Sequence, residues 1–244
     1  MSIIKIKTII SVSALAFIFL IPALSRASEY DFYVDKNSSV ATEDGSEQYP
    51  FKTIGAALSH IQSEGLKSEK IFVKTGTYTE SINLVNNTKI IGESEGETII
   101  NAAGFRNGVN FVKTKSEIKN ITIKSANSTN IIIDKKSKAT IKNCTIKKAG
   151  SFGIEVEKSS TKDRYKFTIK NSKISENDSK GFHISKRKIL ISGNEVFDNG
   201  EEGIDLHSGQ KGTVSGNDIR GNDESGIEAI LSSGVKLTLK PEEK

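Results

Sequence analysis

Four acid–base side chains recur at near-constant intervals. Glu155, His183, Asp205 and Glu228 are separated by 28, 22 and 23 residues, and each follows a glycine by two positions, at Gly153, Gly181, Gly203 and Gly226. The next positions in phase are Glu157, Ser185, His207 and Ile230. Carboxylates and imidazoles gathered on one surface can move protons to and from a bound substrate. Two carboxyls about 5 Å apart suit a retaining glycosidase, and a wider pair suits an inverting one. Asp205 with Glu228 approaches the first spacing, and Glu155 with Asp205 the second. Proton abstraction beside a sugar carboxylate is the other possibility, with His207 or His183 as base and a cation offsetting the carboxylate. The catalytic candidates are therefore His207, His183, Asp205 and Glu228. The alternative is an ordinary polar sheet face on which Glu and His soften like-charge repulsion.

These residues need an element that repeats at the same interval. One template does: Ile118-Lys-Asn-Ile-Thr-Ile123, Ile141-Lys-Asn-Cys-Thr-Ile146, Ile169-Lys-Asn-Ser-Lys-Ile174, Ile191-Ser-Gly-Asn-Glu-Val196 and Val214-Ser-Gly-Asn-Asp-Ile219, starting 23, 28, 22 and 23 residues apart. Seven residues after the last apolar position of each, a second short strand opens at Asn130, Gly153, Gly181, Gly203 or Gly226. In Gly203-Ile204-Asp205-Leu206-His207 the alternation turns Ile204 and Leu206 inward and Asp205 and His207 outward. Strands at a period of about 22 residues, with no room for crossover helices, predict an all-β fold, a parallel β-helix solenoid of about seven or eight coils; a leucine-rich horseshoe is the alternative, but its leucine and asparagine pattern is absent. Asn177, Asn199 and Asn222 each precede the glycine by four residues, which predicts a stacked amide ladder. The long interval reads as a loop inserted near 158–164.

The 244 residues include 33 Ile, 30 Lys and 17 Asn against 3 Pro, 1 Cys and no Trp, which favours β-branched strands with amide-rich turns. The lone Cys144 excludes an internal disulfide framework and a multi-cysteine zinc site, and reads as a small core residue. Residues 1–27 read as a signal peptide: Lys5 and Lys7 precede an apolar run from Ile9 to Leu24, and Ser25-Arg26-Ala27 supplies small residues for cleavage. A retained anchor is the rival reading. Removing that leader reduces the net charge from +5 to +2, so the basic balance carries no argument for nucleic acid. After it, 28–69 reads as an N-terminal strand and capping helix, and 70–244 as the β-helix repeats. The helix is expected over Thr53 to Ile61, with Thr53 as N-cap and His60 on its solvent side. Tyr78 and Phe72 read as packing near the first coil.

Tyr33-Val34-Asp35, Asp44-Gly45-Ser46, Pro50-Phe51-Lys52-Thr53-Ile54 with Ala57, Ile71-Phe72-Val73 and Gly76-Thr77-Tyr78 resemble the N-terminus of secreted right-handed β-helix proteins of the pectate-lyase-like superfamily. Glu201-Glu202-Gly203-Ile204-Asp205 is similar to the calcium-binding segment of family nine polysaccharide lyases. That resemblance implies Glu201, Glu202 and Asp205 as Ca²⁺ ligands, although the family's catalytic Lys would fall at Glu228 and a further Asp near Lys180. Asp205-Leu206-His207 resembles the Asp-Pro-His core of mannuronan C5-epimerases, with Leu206 in place of Pro; the accompanying Tyr and second Asp would fall near Glu202 and Ile230. The resemblances imply a secreted lyase-like or epimerase-like protein acting on acidic polysaccharide. A noncatalytic glycan-binding or structural module is the alternative.

Charge is unevenly distributed: residues 113–148 hold 10 Lys against 2 acids, whereas residues 193–228 hold 9 acids against Lys211 and Arg220. A basic stretch beside an acidic one suits an anionic glycan, or serves solubility and pairing between coils. The next repeat begins near Leu237 and is followed by Pro241-Glu-Glu-Lys244, which leads to the expectation that the terminal coil is poorly ordered or pairs with another chain.

Overall fold

The computed structural model describes residues 29–159, 166–207, 210–230 and 235–238. The leader, the core of the inserted loop and Pro241–Lys244 lie outside the described residues. The chain winds as a parallel β-solenoid of three sheets. One has nine strands, beginning with Phe32–Val34 and Lys70–Val73 and ending with Lys211–Ser215 and Val235–Thr238. The other two have seven strands each. One of these, called the site sheet below, runs from Ile82–Leu84 to Ile227–Ile230, and the third runs from Gly76–Thr79 to Asp218–Arg220.

The template explains the path of each coil. Its first two residues end a strand of the nine-stranded sheet; its third makes the corner. Asn120, Asn143 and Asn171 stand there at φ 56°, 49° and 49°, and Gly193 and Gly216 at 68° and 62°. Asn and Gly are the residues that take the left-handed conformation most readily, so Lys-Asn and Ser-Gly are two solutions to one turn. The fourth position points inside and stacks as Cys144, Ser172, Asn194 and Asn217. Ser172 N donates to Asn194 Oδ1 at 3.0 Å, and Asn194 Nδ2 to Asn217 Oδ1 at 2.9 Å. This is a second ladder, which the alignment of the first did not show. Cys144 is fully buried in this column, and burial pushes its thiol up to about 12.

The expected ladder also forms. Asn177 Nδ2 donates to Asn199 Oδ1, and Asn199 Nδ2 to Asn222 Oδ1, each at 2.8 Å. This ladder also dictates the glycines that open the site strands. A Cβ at Gly153 would lie 2.7 Å from Asn177 Nδ2, and one at Gly181 would lie 2.6 Å from Gly203 O. Inside the tube, Ile, Val, Phe and Leu side chains stack in files, with Phe111, Phe167 and Phe182 fully buried.

The helix spans Ile54–Ser63 and buries Ile54, Ala57, Leu58 and Ile61 over the first coil. Thr53 Oγ1 caps Ala56 N at 3.1 Å, and Glu80 accepts from Ile54 N and Gly55 N at 3.0 and 2.8 Å. His60 departs from the expectation of a solvated surface residue. Its ring packs on Phe32 and Phe51 at 5.3 and 5.4 Å between centroids. Tyr78 is buried, as expected, and Phe72 packs against Tyr30 and Tyr33.

Candidate functional site

The site sheet places Glu155, His183, Asp205 and Glu228 side by side on four consecutive rungs, in the register read from the glycines. Rungs of a parallel sheet are about 4.8 Å apart, so the column spans about 14 Å. Ser185, His207 and Ile230 form the next outward column.

Asp205 occupies an outward strand position yet is only 1% exposed. Two neighbours cover it: its Oδ2 lies 2.8 Å from Lys180 Nζ and 2.9 Å from His183 Nδ1. Burial alone would raise the Asp205 pKa; the hydrogen bonds and charges of Lys180 and His183 outweigh it and hold the carboxyl below its ordinary value. An ionised carboxylate on Nδ1 selects the tautomer with its proton on Nδ1, which leaves the Nε2 lone pair as a base. The imidazole is held on its face by Phe152, stacked at 5.0 Å and 18°, and His207 lies 5.9 Å away on the next rung.

Lys180 also reaches Glu202, with Nζ 3.2 Å from Oε2. That contact is an ion pair outside hydrogen-bond geometry, for Glu202 Oε2 and Asp205 Oδ1 are both buried without a hydrogen-bond partner among the described residues. Burial lowers the Lys180 pKa, and the two carboxylates more than reverse this. Glu202 and Glu228 interact directly. For Glu228, the neighbouring Glu202 carboxyl above all, followed by burial and the charge of Asp205, raises the pKa. For Glu202, burial is outweighed by its backbone hydrogen bond, Lys180 and Glu228, and the carboxyl titrates lower. Of the two neighbouring carboxyls, Glu228 therefore takes up a proton at a higher pH than Glu202.

Glu201, Glu202 and Asp205 do not converge as the resemblance to calcium-binding lyases implied. Among the described residues no group of three His, Cys, Asp or Glu side chains is arranged to hold a metal ion. Lys180 Nζ lies 3.2 Å from Glu202 Oε2 and 2.8 Å from Asp205 Oδ2. A Ca²⁺ at about 2.3–2.6 Å from Glu202 Oε2 would meet the ammonium 3.2 Å from that oxygen. The glycosidase readings both rest on Asp205, which is buried and engaged by Lys180 and His183.

Lys180 and Phe152 were absent from the sequence candidates. They belong to the column immediately before the glycines, Phe152, Lys180, Glu202 and Ser225, and a lysine there beside two acids is the signal that could have found it. Arg187 was also missed. Buried at the corner after the site strand, it donates to Ser137 O, Asp134 O and Glu157 O, each at 2.7 Å, and burial lowers its pKa to about 10.

Comparison with known proteins places this geometry in context. A probable pectinesterase/pectinesterase inhibitor from Arabidopsis thaliana is 32% identical over 80 residues, 32% of this chain and 13% of that protein. Pectate lyase Pel9A superposes with a TM-score of 0.62 at 15% identity, over 85% of this chain and 61% of that one. The A-module of a mannuronan C-5 epimerase from Azotobacter vinelandii gives a TM-score of 0.48 at 16% identity, over 84% of this chain and 76% of that one. The chain thus spans well under two thirds of the pectinesterase and somewhat under two thirds of the lyase. The lyase shares the fold, and the fold does not carry its chemistry with it. Residues 107–240, more than half of the chain, match the family described as the right handed beta helix region, and the protein belongs to that family.

Proposed function

We propose that this protein acts outside the cytoplasm on an acidic polysaccharide laid along the site sheet, by proton transfer at a sugar ring with His183 as the base. The observation that carries this reading is the hydrogen bond between His183 Nδ1 and the buried carboxylate of Asp205. It orients the ring, fixes its tautomer and stabilises the imidazolium that forms when Nε2 takes a proton, making Asp205 a positioning residue. Abstraction beside a uronate carboxylate breaks the C–H bond and leaves negative charge that must be offset. Glu228, protonated more readily than an ordinary carboxyl, can donate a hydrogen bond or a proton two rungs away. Return of a proton to the opposite face inverts the carbon, whereas loss of the neighbouring glycosidic oxygen cleaves the chain. His207 extends the polar column on which the sugar lies. Similarity to a pectate lyase and a pectinesterase, together with the signal-like leader, supports the substrate class and the compartment.

The test is incubation with polygalacturonate and with alginate in the presence of a chelator, following unsaturated ends by ultraviolet absorbance and C5 inversion by NMR. Turnover that disappears in His183→Asn supports the proposal. Absence of both products from both polymers overturns it. A noncatalytic glycan-binding role is the second reading, favoured by the commitment of Lys180 to Asp205 and Glu202 rather than to a sugar; binding without turnover would establish it.

A further inference from the structure

In the third sheet, stacked charges find partners of opposite sign on neighbouring rungs or in neighbouring columns. Lys173 stands over Glu195, which stands over Asp218, with Lys173 Nζ 3.3 Å from Glu195 and Arg220 reaching Glu195 at 3.3 Å. Lys147 and Lys148 converge on Glu176. One column of the nine-stranded sheet has no such partners among the described residues. Lys115 pairs with Lys138, Lys166 with Lys188, and Lys188 with Lys211; Lys138 and Lys166 immediately precede the pair Ala139 and Phe167. Five lysines therefore stand directly over one another on five consecutive rungs. Among the described residues none of the five lies within ion-pair distance of a carboxylate. Lys119, Lys142 and Lys170 form a shorter parallel column, of which, among the described residues, only Lys142 is paired, with Glu117 at 2.8 Å. Between the columns lie Glu117, Thr140, Thr168, Leu190 and Thr213.

Like charges placed directly opposite one another destabilise a sheet. Five in a row at about 4.8 Å, with no intramolecular relief among the described residues, complement a partner that supplies negative charge at a matching interval along the axis. The position of the column points the same way. The site strand Phe182–Ser185 is followed after two residues by Lys188, so the lysines line the edge of their sheet that adjoins the His183 and Asp205 column around one corner. We propose that the lysine face is a docking rail for a linear polycarboxylate, an acidic polysaccharide with one carboxylate per sugar, running parallel to the solenoid axis. The threonine hydroxyls between the columns face the sugar hydroxyls. Nucleic acid fits less well: phosphates along one strand of a duplex repeat at about 3.4 Å, and the two lysine columns and the column between them carry no aromatic side chain on which bases could stack. The rail shares the acidic-glycan part of the reading above and is independent of catalysis at His183.

The experiment measures binding of polygalacturonate, fully methyl-esterified pectin and inorganic polyphosphate to the full chain at several salt concentrations. The variants are Lys138→Gln/Lys166→Gln/Lys188→Gln, a control removing three charges elsewhere (Lys52→Gln/Lys74→Gln/Lys124→Gln), and His183→Asn. Thermal melting verifies that each is folded. The rail variant is expected to bind polygalacturonate about tenfold more weakly, with a shallower salt dependence. The control should bind it as the wild type does, His183→Asn is followed for turnover, and esterified pectin should bind weakly to all. Equal losses in rail and control variants, equal binding of the uncharged ester, or binding of polyphosphate without polygalacturonate would each overturn the proposal. Failure of catalysis with the rail effect intact would sink only the His183 reading.

Discussion

Two faces of the same solenoid meet at one corner and handle charge in opposite ways. On the site sheet an acid sits at nearly every rung of the last four, and the buried ones are compensated: Asp205 by Lys180 and His183, and Glu202 by Lys180, while the neighbouring acids raise the pKa of Glu228. Compensation there is local and partly buried, so it polarises side chains and shifts their pKa values. On the nine-stranded sheet the lysines are mostly exposed and left uncompensated, so water and salt screen them and their pull extends outward. A β-helix forces both outcomes, because parallel in-register stacking puts every repeated residue over its own kind. Relief must come from a neighbouring column, as Lys180 provides, or from a partner.

The largest test of this contrast is kinetic. If the proposed acid–base role holds, His183→Asn should cut turnover by about 10²–10⁴-fold while leaving glycan binding unchanged. Comparable loss from the lysine triple variant at saturating substrate would erase the distinction between the faces. Asp205→Ala strips a buried partner from Lys180 and His183 and should lower the unfolding free energy by about 3 kcal/mol, measured by urea denaturation. A loss near zero would mean that the carboxylate is effectively solvated. The same group predicts a pH dependence. Because the folded pKa values of Asp205 and Glu202 are lowered, their stabilisation is fully present above the ordinary carboxylate value and is lost as pH falls through the folded one. Acid titration of the melting temperature should therefore be flatter in Asp205→Ala than in the wild type. Asn199→Leu leaves amide groups of Asn177 and Asn222 unpaired and should cost about 1–3 kcal/mol, again by urea denaturation. Replacing single rail lysines with Gln should produce the smallest change, within about 0.5 kcal/mol and in the stabilising direction at low salt.

Much of this contrast is legible in the order of the residues. The glycine phase places Glu155, His183, Asp205 and Glu228 in one column because side-chain alternation and a parallel register leave no other arrangement. The Asn177, Asn199 and Asn222 ladder and the Thr53 cap follow from the same local rules. The burial of Asp205 is not legible. Alternation assigns it outward, and only the reach of Lys180 and His183 from the preceding rung closes over it. His60 is misplaced for a similar reason, since Phe32 and Phe51 approach the helix from outside its own periodicity.

The sequence by itself determined the coil: a period of about 22 residues, Asn or Gly at the left-handed corner, apolar residues in phase, and hence which side chains share a column. These are short-range consequences of backbone sterics and of burying every second residue. Tertiary structure alone decided which columns interact. The ammonium of Lys180 stands between two carboxylates where an acidic motif implied calcium, and the unrelieved lysines lie one corner from the imidazole. Both depend on the lateral placement of columns and on side-chain reach across rungs, which no linear spacing encodes.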